Sequence, residues 1–176
     1  MDSDAFNQQQ LDDLLDRMIA YDAGDTKRIM HFIKVHEFAR LIGKQEELDE
    51  TTLFILEAAA YTHDIGIHVA EEKYGRCDGE LQEKEGPIIA QKMLSDLGFE
   101  NYVIDRISYL IGHHHTYDEI DGEDYQILVE ADFLVNLDEE DAGKKALKNA
   151  YRKIFRTQSG KRLFCLLFHY QEEEEE

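Results

Sequence analysis

The sequence has few residues that interrupt helices and few that could cross-link the chain. It contains one proline, eleven glycines and two cysteines among 176 residues. No segment shows the sustained alternation of apolar and polar residues that is typical of strands. Cys77 and Cys165 lie far apart and lack the spacing of a zinc-binding motif, so we expect two reduced thiols.

Long apolar runs and positive charge are also scarce. The first ten residues are polar and acidic, and no run is long enough to cross a bilayer. We therefore expect no signal peptide, no membrane contact and, by default, a cytoplasmic location. The 19 lysines and arginines face 39 aspartates and glutamates, for a net charge of -20. This excludes general nucleic-acid binding but not a small anionic substrate, because a bound divalent cation reverses the local field.

Hydrophobic residues make up 43% of the chain, and their spacing predicts an all-α fold. We expect one helical domain over residues 1–176, with an acidic, solvated tail at 171–176. A loop is predicted at 69–82, and Thr51 or Thr52 is the expected N-cap of the third helix. The predicted helices cover about 9–21, 26–42, 52–66, 87–98 and 102–113, and two or three more begin near 125, 141 and 159.

Two of these helices contain ionisable residues in apolar surroundings. Residues 125–137, YQILVEADFLVNL, are apolar on nearly every side of a helical wheel, yet Asp132 lies among them. An ionised carboxylate there is costly unless it is paired or binds a metal ion. The third helix is equally apolar and ends in His63 and Asp64. At a helix end the loosening chain lets both side chains approach one ion, and the helix dipole favours a cation there.

His31 completes this pattern on the second helix. It precedes Val35, Phe38 and Ile42 by four, seven and eleven residues, so we expect it to point into the core. Two imidazoles and two carboxylates form a mixed nitrogen and oxygen ligand set, which suits Mn, Fe, Co, Ni or Zn. Taken singly, each residue also fits a structural role, because an inward histidine is commonly hydrogen-bonded in the core and an aspartate can cap a neighbouring helix.

In this order the residues resemble the HD-domain superfamily of metal-dependent phosphohydrolases. The resemblance extends over residues 26–137. It is carried by the following segments: Arg28-x-x-His31-x-x-x-Val35, Tyr-Thr-His-Asp-Ile-Gly at 61–66, and Glu-Ala-Asp-Phe at 130–133. It implies an all-α fold and an enzyme that hydrolyses phosphate esters of nucleotides or related small molecules.

The resemblance also implies roles for individual residues. The implied metal ligands are His31, His63, Asp64 and Asp132. Asp64 would in addition orient the attacking water as a catalytic residue. Arg28 lies one turn before His31 and could bind a phosphate oxygen through its planar donors. An ordinary surface ion pair is the alternative for Arg28, since the protein is so acidic.

Some members of the superfamily bind a second metal ion through additional histidines. These histidines lie between the His-Asp pair and the last aspartate of the motif. Here that interval contains His113, His114 and His115. His113 and His114 are the expected ligands, and His115 remains open. Such members often carry a further histidine before the next helix. At that position this chain has Glu-Lys-Glu-Gly, residues 83–86, so Glu85 or Glu83 could supply an oxygen ligand instead. One ion and two ions are both compatible with the sequence.

Two other functions remain open on the same scaffold. HD-domain proteins with two irons oxidise small polyols or phosphonates, and a member without activity could serve as a nucleotide-sensing module. The Gly-Tyr-Pro tripeptide of members that cleave cyclic di-GMP is not present, so that substrate is not expected. The sequence leaves open whether the protein is a homo-oligomer.

Overall fold

The computed structural model describes residues 3–172, with side chains from Phe6 onward, and this part forms nine α-helices and no β-strand. The prediction of an all-α fold is thus confirmed. Of the predicted acidic tail, residues 173–176 lie outside the described range. The helices are α1 (Ser3–Tyr21), α2 (Thr26–Gln45), α3 (Glu50–Thr62), α4 (Ile67–Tyr74), α5 (Gly79–Asp96), α6 (Asn101–Ile111), α7 (Glu123–Glu139), α8 (Lys144–Lys153) and α9 (Gln158–Phe168).

Helix α3 lies at the centre of the fold. Every residue from Phe54 to Thr62 is buried, and α1, α2, α6 and α7 all pack against the helix. The three alanines at 58–60 are fully buried and allow close approach of these neighbours. Helix α2 packs along both α3 and α7, so that three helices meet at the C-terminal end of α3. No helix among the described residues is long and apolar enough to span a membrane.

The structure corrects several predicted helix boundaries. Helix α3 is capped by Asp49, whose side chain accepts from the backbone N–H groups of Thr51 and Thr52, so neither threonine is the N-cap. Helix α4 occupies part of the predicted loop at 69–82. It ends at Tyr74 and is capped by Gly75, which is left-handed with a φ of 67°. Only Ala70 of this short polar helix is buried, so its sequence carries little apolar periodicity.

Pro87 was expected near the start of a helix but lies inside α5, which begins eight residues earlier at Gly79. Proline removes one backbone donor and disfavours helix interiors. The two turns before Pro87 bury Leu81, Gln82 and Glu85, so tertiary packing stabilises them in spite of the proline. These turns lie against α4 and beside the end of α3, where the candidate site forms.

Candidate metal centre

Three elements bring the four predicted ligands together. Helix α2 carries His31, the turn after α3 carries His63 and Asp64, and α7 carries Asp132. The Nε2 atom of His31 lies 3.3 Å from Nε2 of His63 and 3.2 Å from Oδ1 of Asp132. The Oδ2 atom of Asp64 lies 3.5 Å and 3.4 Å from the same two nitrogens. The ligand atoms of His31, His63 and Asp64 therefore form one group, all within 4.8 Å of one another. Asp132 lies beside the two imidazole nitrogens of this group, with Oδ1 also 3.4 Å from Nε2 of His63.

The turn that carries His63 and Asp64 is packed against the backbone of α5. A Cβ atom added to Gly66 would lie 2.7 Å from the carbonyl oxygen of Gln82 and 2.8 Å from the backbone nitrogen of Gly86. Such distances leave no room for a side chain, so only glycine permits this approach. The two glycines thus hold the turn, and with it the two ligand candidates, in place against α5.

The site is closed on one side and open on the other. The side chain of His63 is fully buried, and those of His31 and Asp132 are 10% and 6% exposed. The side chain of Asp64 is 25% exposed and is the most accessible of the four. Solvent or a ligand therefore reaches the cluster through Asp64.

Hydrogen bonds fix the tautomers of three histidines around the cluster. The Nδ1 atom of His63 donates to the carbonyl oxygen of Ala60 at 2.9 Å, and that of His114 donates to Ile111 at 2.8 Å. The Nδ1 atom of His31 donates to Glu139 at 3.0 Å. Carbonyl and carboxylate oxygens only accept, so Nδ1 carries a proton in each ring and Nε2 has a lone pair in the neutral form.

This arrangement fits a divalent metal ion. The facing lone pairs of His31 and His63 repel each other unless a proton or a metal ion lies between them. Ligand atoms that bind one ion at about 2.1 Å are about 3.0–3.4 Å apart, close to the separations in the cluster. The Nε2 atom of His114 is buried, has no hydrogen-bond partner among the described residues, and lies 3.5 Å from Oδ1 of Asp64. An orphaned buried nitrogen beside a carboxylate is explained by an ion that the residues are arranged to bind.

The pKa values of the cluster show that it stabilises positive charge. Burial alone would lower the pKa of His63, but the charge of Asp64 and the hydrogen bond to Asp132 raise it to about 9. Burial alone would raise the pKa of Asp64, but the charge of His63 lowers it to about 2. Contacts with His31 and His63 likewise keep the pKa of Asp132 below its usual value, although burial opposes this. The two carboxylates therefore stay ionised and attract either protons or a metal cation.

A second group of candidate ligands shares Asp64 with the first. Ligand atoms of Asp64, His114 and His115 all lie within 4.8 Å of one another. His113, predicted as a ligand, belongs to neither group, because its Nδ1 donates to the carbonyl oxygen of Tyr109 and its ring stacks on Tyr109. Successive residues point in different directions at the end of α6. His114 and His115 therefore face the site, whereas His113 and His114 were the predicted pair.

The predicted glutamate ligands are engaged elsewhere. Both oxygens of Glu85 accept hydrogen bonds, from Lys73 at 2.6 Å and from the hydroxyl of Tyr74 at 2.8 Å. Glu83 accepts from the backbone nitrogen of His115 and from the hydroxyl of Thr116. Neither glutamate belongs to a candidate metal group among the described residues. The structure therefore does not bring Glu85 to the cluster.

His115 is held by a chain of hydrogen bonds. The side-chain nitrogen of Gln82 donates to the carbonyl oxygen of Cys77 at 2.7 Å, which directs its side-chain oxygen toward Nε2 of His115 at 3.0 Å. This Nε2 atom must therefore carry the proton. The lone pair of neutral His115 then lies on Nδ1, 3.4 Å from the hydroxyl of Tyr117. Coordination through Nε2 would require Gln82 to move.

Arg28 lies at the edge of the site and is paired with carboxylates. It donates from Nη2 to Glu71 of α4 at 2.8 Å, and its Nε lies 3.5 Å from Asp25. Its side chain is 20% exposed. The structure thus contains the ion pair that the sequence left as an alternative, at a position one turn from His31.

Three residues that support the site were not found from the sequence. Glu139 accepts from His31 and from Lys34, whose Nζ atom is 2.6 Å away. Asn136 donates to Oδ1 of Asp132 at 2.9 Å. On α7, Asn136 lies one helical turn after Asp132, and Glu139 lies two turns after it. This spacing was the sequence feature that could have identified the two residues.

The chain is similar to known proteins in sequence and in fold. The model of the HD domain family matches residues 28–150. A crystal structure described as a predicted HD superfamily hydrolase from an uncultured Thermotogales bacterium superposes with a TM-score of 0.65. That match has 24% sequence identity and covers 89% of this chain and 84% of the other, which shows a shared fold. No curated protein matches the chain.

Proposed function

Because the family match covers more than half of its residues, the chain belongs to the HD domain family, and we propose that it is a phosphohydrolase that requires a divalent metal ion. The proposed substrate is a phosphate ester of a small molecule, such as a nucleotide. One observation carries the proposal: the Nε2 lone pairs of His31 and His63 converge with the carboxylates of Asp64 and Asp132. The native metal is one of Mn, Fe, Co, Ni or Zn, which all accept this ligand set.

His31, His63, Asp64 and Asp132 would hold the ion in this proposal. When bound, the ion polarises a phosphoryl oxygen and lowers the pKa of water, so that hydroxide is available at neutral pH. The backbone carbonyl beside His63 and the carboxylate of Glu139 beside His31 keep both rings in the orientation that directs Nε2 inward. The buried side of the site excludes bulk water from these contacts.

Asp64 would orient the attacking water. Its carboxylate is the most exposed of the four, so water and substrate approach it first. In the metal-free protein the charge of His63 lowers the pKa of Asp64 to about 2. A bound cation would replace that charge, so Asp64 would stay ionised and able to accept a hydrogen bond from the water. Asp64 is therefore the proposed catalytic residue as well as a metal ligand.

Arg28 would bind a phosphate oxygen of the substrate. Its pairing with Glu71 keeps the guanidinium at the edge of the site, one turn from His31. A phosphate group that replaces Glu71 as the partner would receive a charge-assisted hydrogen bond of the same kind. Arg28 thus contributes to substrate binding in this proposal, and Glu71 competes with the substrate for it.

The test is hydrolysis of phosphate esters by protein loaded with Mn²⁺ or Co²⁺. The panel contains nucleoside monophosphates, nucleoside triphosphates and cyclic dinucleotides. Arg28→Ala is expected to lower kcat/KM by roughly 10–100-fold, mainly through KM, because a charged hydrogen bond is lost. Arg40→Ala is the matched control, since Arg40 lies on the same helix in an exposed pair with Glu37. Nucleotide binding without turnover would contradict the enzymatic function and would support a nucleotide-sensing module.

A second candidate function is a di-iron oxygenase. It is favoured by the second group of ligand atoms, formed by Asp64, His114 and His115. Two equivalents of iron in protein from iron-supplemented cultures, with a visible spectrum that responds to reduction, would support it. Phosphate-ester hydrolysis with one ion bound would exclude it.

The proposal includes a small anionic substrate as the expected partner, and a homo-oligomer is compatible with it. It also includes a cytoplasmic location, which is supported by the two free cysteines. Fractionation of the native cells and detection of the protein in the soluble cytoplasmic extract would test the location.

A further inference from the structure

Positive charge is concentrated in one segment of this acidic chain. Residues 142–171 contain eight of the 19 lysines and arginines and none of the 39 aspartates and glutamates. Five of the eight cationic residues lie on α8, which is only ten residues long. The rest of the sequence has 11 cationic and 39 anionic residues. Such segregation creates a local positive field on a protein that is otherwise strongly negative.

A groove runs between α8 and the segment that follows α9. We call it the α8 groove. It is lined on one side by Lys144, Leu147 and Lys148 of α8, and on the other by residues 168–171. Lys144 and Lys148 are one helical turn apart, so both ammonium groups belong to the same side of α8. The α8 side of the groove is therefore lined by two lysines and one leucine.

The chain returns toward this groove after α9. His169 adopts a left-handed conformation with a φ of 48°, which ends the helix and reverses the chain. The ring of Tyr170 then packs on Tyr151 of α8, with 4.8 Å between ring centroids. The hydroxyl of Tyr151 donates to the carboxylate of Glu172 at 3.2 Å. The first residue of the glutamate run at 172–176 is thus already in contact with α8.

We propose that the glutamate run at 172–176 binds in cis in the α8 groove and is the resident occupant of this basic surface. Glu172 contacts Tyr151, and Lys148 and Lys144 precede Tyr151 by about 5 Å and about 11 Å along the helix axis. The four residues that follow Glu172 can extend over about 14 Å, so their carboxylates reach both lysines. Opposite charges and sufficient length together favour the chain's own tail over a separate partner.

The tail would compete with any other anion for this surface. A covalently attached occupant has an effective concentration in the millimolar range, and its binding weakens as salt increases. The inference is independent of the metal site, because the described residues that line the α8 groove belong to α8 and to 168–171, and none of them is a candidate metal ligand.

Zero-length carbodiimide cross-linking in low salt, followed by peptide mass spectrometry, tests the proposal. We expect cross-links from Lys144 or Lys148 to carboxylates at 172–176. Lys92 and Asp96 form an exposed pair at 3.3 Å and serve as the positive control within the same sample. An equal mixture of ¹⁴N- and ¹⁵N-labelled protein separates cross-links within one chain from cross-links between two chains. Cross-links from these lysines that join two chains would overturn the proposal. So would cross-links to carboxylates outside 172–176 only, or no cross-link from Lys144 and Lys148 in a sample in which Lys92 and Asp96 are linked.

A charge-neutral variant gives a second readout. Replacing the glutamates at 173–176 by glutamine preserves length and the contact of Glu172 with Tyr151. We expect its Tm to lie roughly 2–4 °C below that of the wild type at low ionic strength, and the difference to disappear in about 0.5 M salt. An equal Tm of the variant and the wild type at low salt would contradict binding of the glutamates in the groove. A difference in Tm that stays the same in high salt would contradict it as well.

Discussion

His31 donates a hydrogen bond to the carboxylate of Glu139, with 3.0 Å between Nδ1 and Oε2. His63 and His114 donate to backbone carbonyl oxygens instead. A carboxylate partner makes an imidazole a stronger metal ligand than a carbonyl partner does, because it stabilises the positive charge that develops on the ring. Lys34, 2.6 Å from the other oxygen of Glu139, keeps this carboxylate in position.

Substitution of Glu139 is therefore expected to weaken metal binding. Glu139→Ala should raise the Kd for Mn²⁺ by roughly 10–100-fold, and Glu139→Gln, which keeps an acceptor but loses the charge, should have a smaller effect. Isothermal titration calorimetry measures both. Glu140→Ala, a substitution at the adjacent exposed position, is the control and should bind like the wild type. Equal affinities of Glu139→Ala and the wild type would show that His31 does not depend on Glu139.

The metal-free protein is expected to lose stability as the pH rises. The pKa of His63 in the folded protein is about 9, above its ordinary value of 6.5. The proton on His63 therefore stabilises the fold fully below pH 6.5, and this stabilisation is lost as the pH approaches 9. A saturating divalent ion would replace the proton and remove the loss. Thermal unfolding in chelator and in Zn²⁺ between pH 6.5 and 9 measures this difference.

His169→Gln, at an exposed position far from the cluster in sequence, should show the same pH dependence as the wild type. A metal-free protein of constant Tm over this pH range would contradict the assignment of the raised pKa to the cluster.

Glu130 is expected to be essential for stability rather than for chemistry. It is fully buried and accepts hydrogen bonds from Gln126, from the backbone N–H groups of Arg156 and Thr157, and from the hydroxyl of Thr157. Glu130→Ala removes the shared acceptor of these part-buried donors and leaves a cavity in the core, so it should lower the free energy of unfolding by roughly 3–5 kcal/mol. Urea denaturation measures the change.

The neighbouring glycine provides a second test of this packing. A Cβ atom at Gly160 would lie 1.9 Å from Oε2 of Glu130, so Gly160→Ala should also destabilise the fold. Gly143→Ala is the control, because no atom of the described residues lies within 4 Å of a Cβ atom there. Equal stability of Gly160→Ala and Gly143→Ala would contradict the close packing of α9 against Glu130.

The sequence predicted the helical fold because few residues interrupt helices and because apolar residues recur at helical spacing in elements such as α6. Helices α3 and α7 are apolar on nearly every side, which is typical of buried helices. The sequence did not predict α4, because that helix buries only Ala70 and its residues are otherwise those of a loop. The start of α5 was misplaced for a different reason. Proline is a strong local signal for a helix start, and here the burial of residues before Pro87 outweighs it.

The four candidate ligands could be selected from sequence because a buried aspartate or histidine needs a partner. Which of the three consecutive histidines faces the site could not, because the direction of each depends on how the turn after α6 is formed. Glu139 was not identified because it is one exposed glutamate among many. Its spacing of two turns from Asp132 does not by itself mark a residue that supports a ligand, and the contact with His31 is visible only in the structure.

The most direct test of the account is the metal content of protein purified without chelator and of protein reconstituted with Mn²⁺. Circular dichroism confirms that each variant is folded. We expect about one equivalent in the wild type, its loss in Asp64→Ala, and its retention in His114→Ala. Two equivalents that fall to one in His114→Ala would indicate a dinuclear centre. Wild-type protein that is folded but binds no metal in either preparation would contradict the central claim.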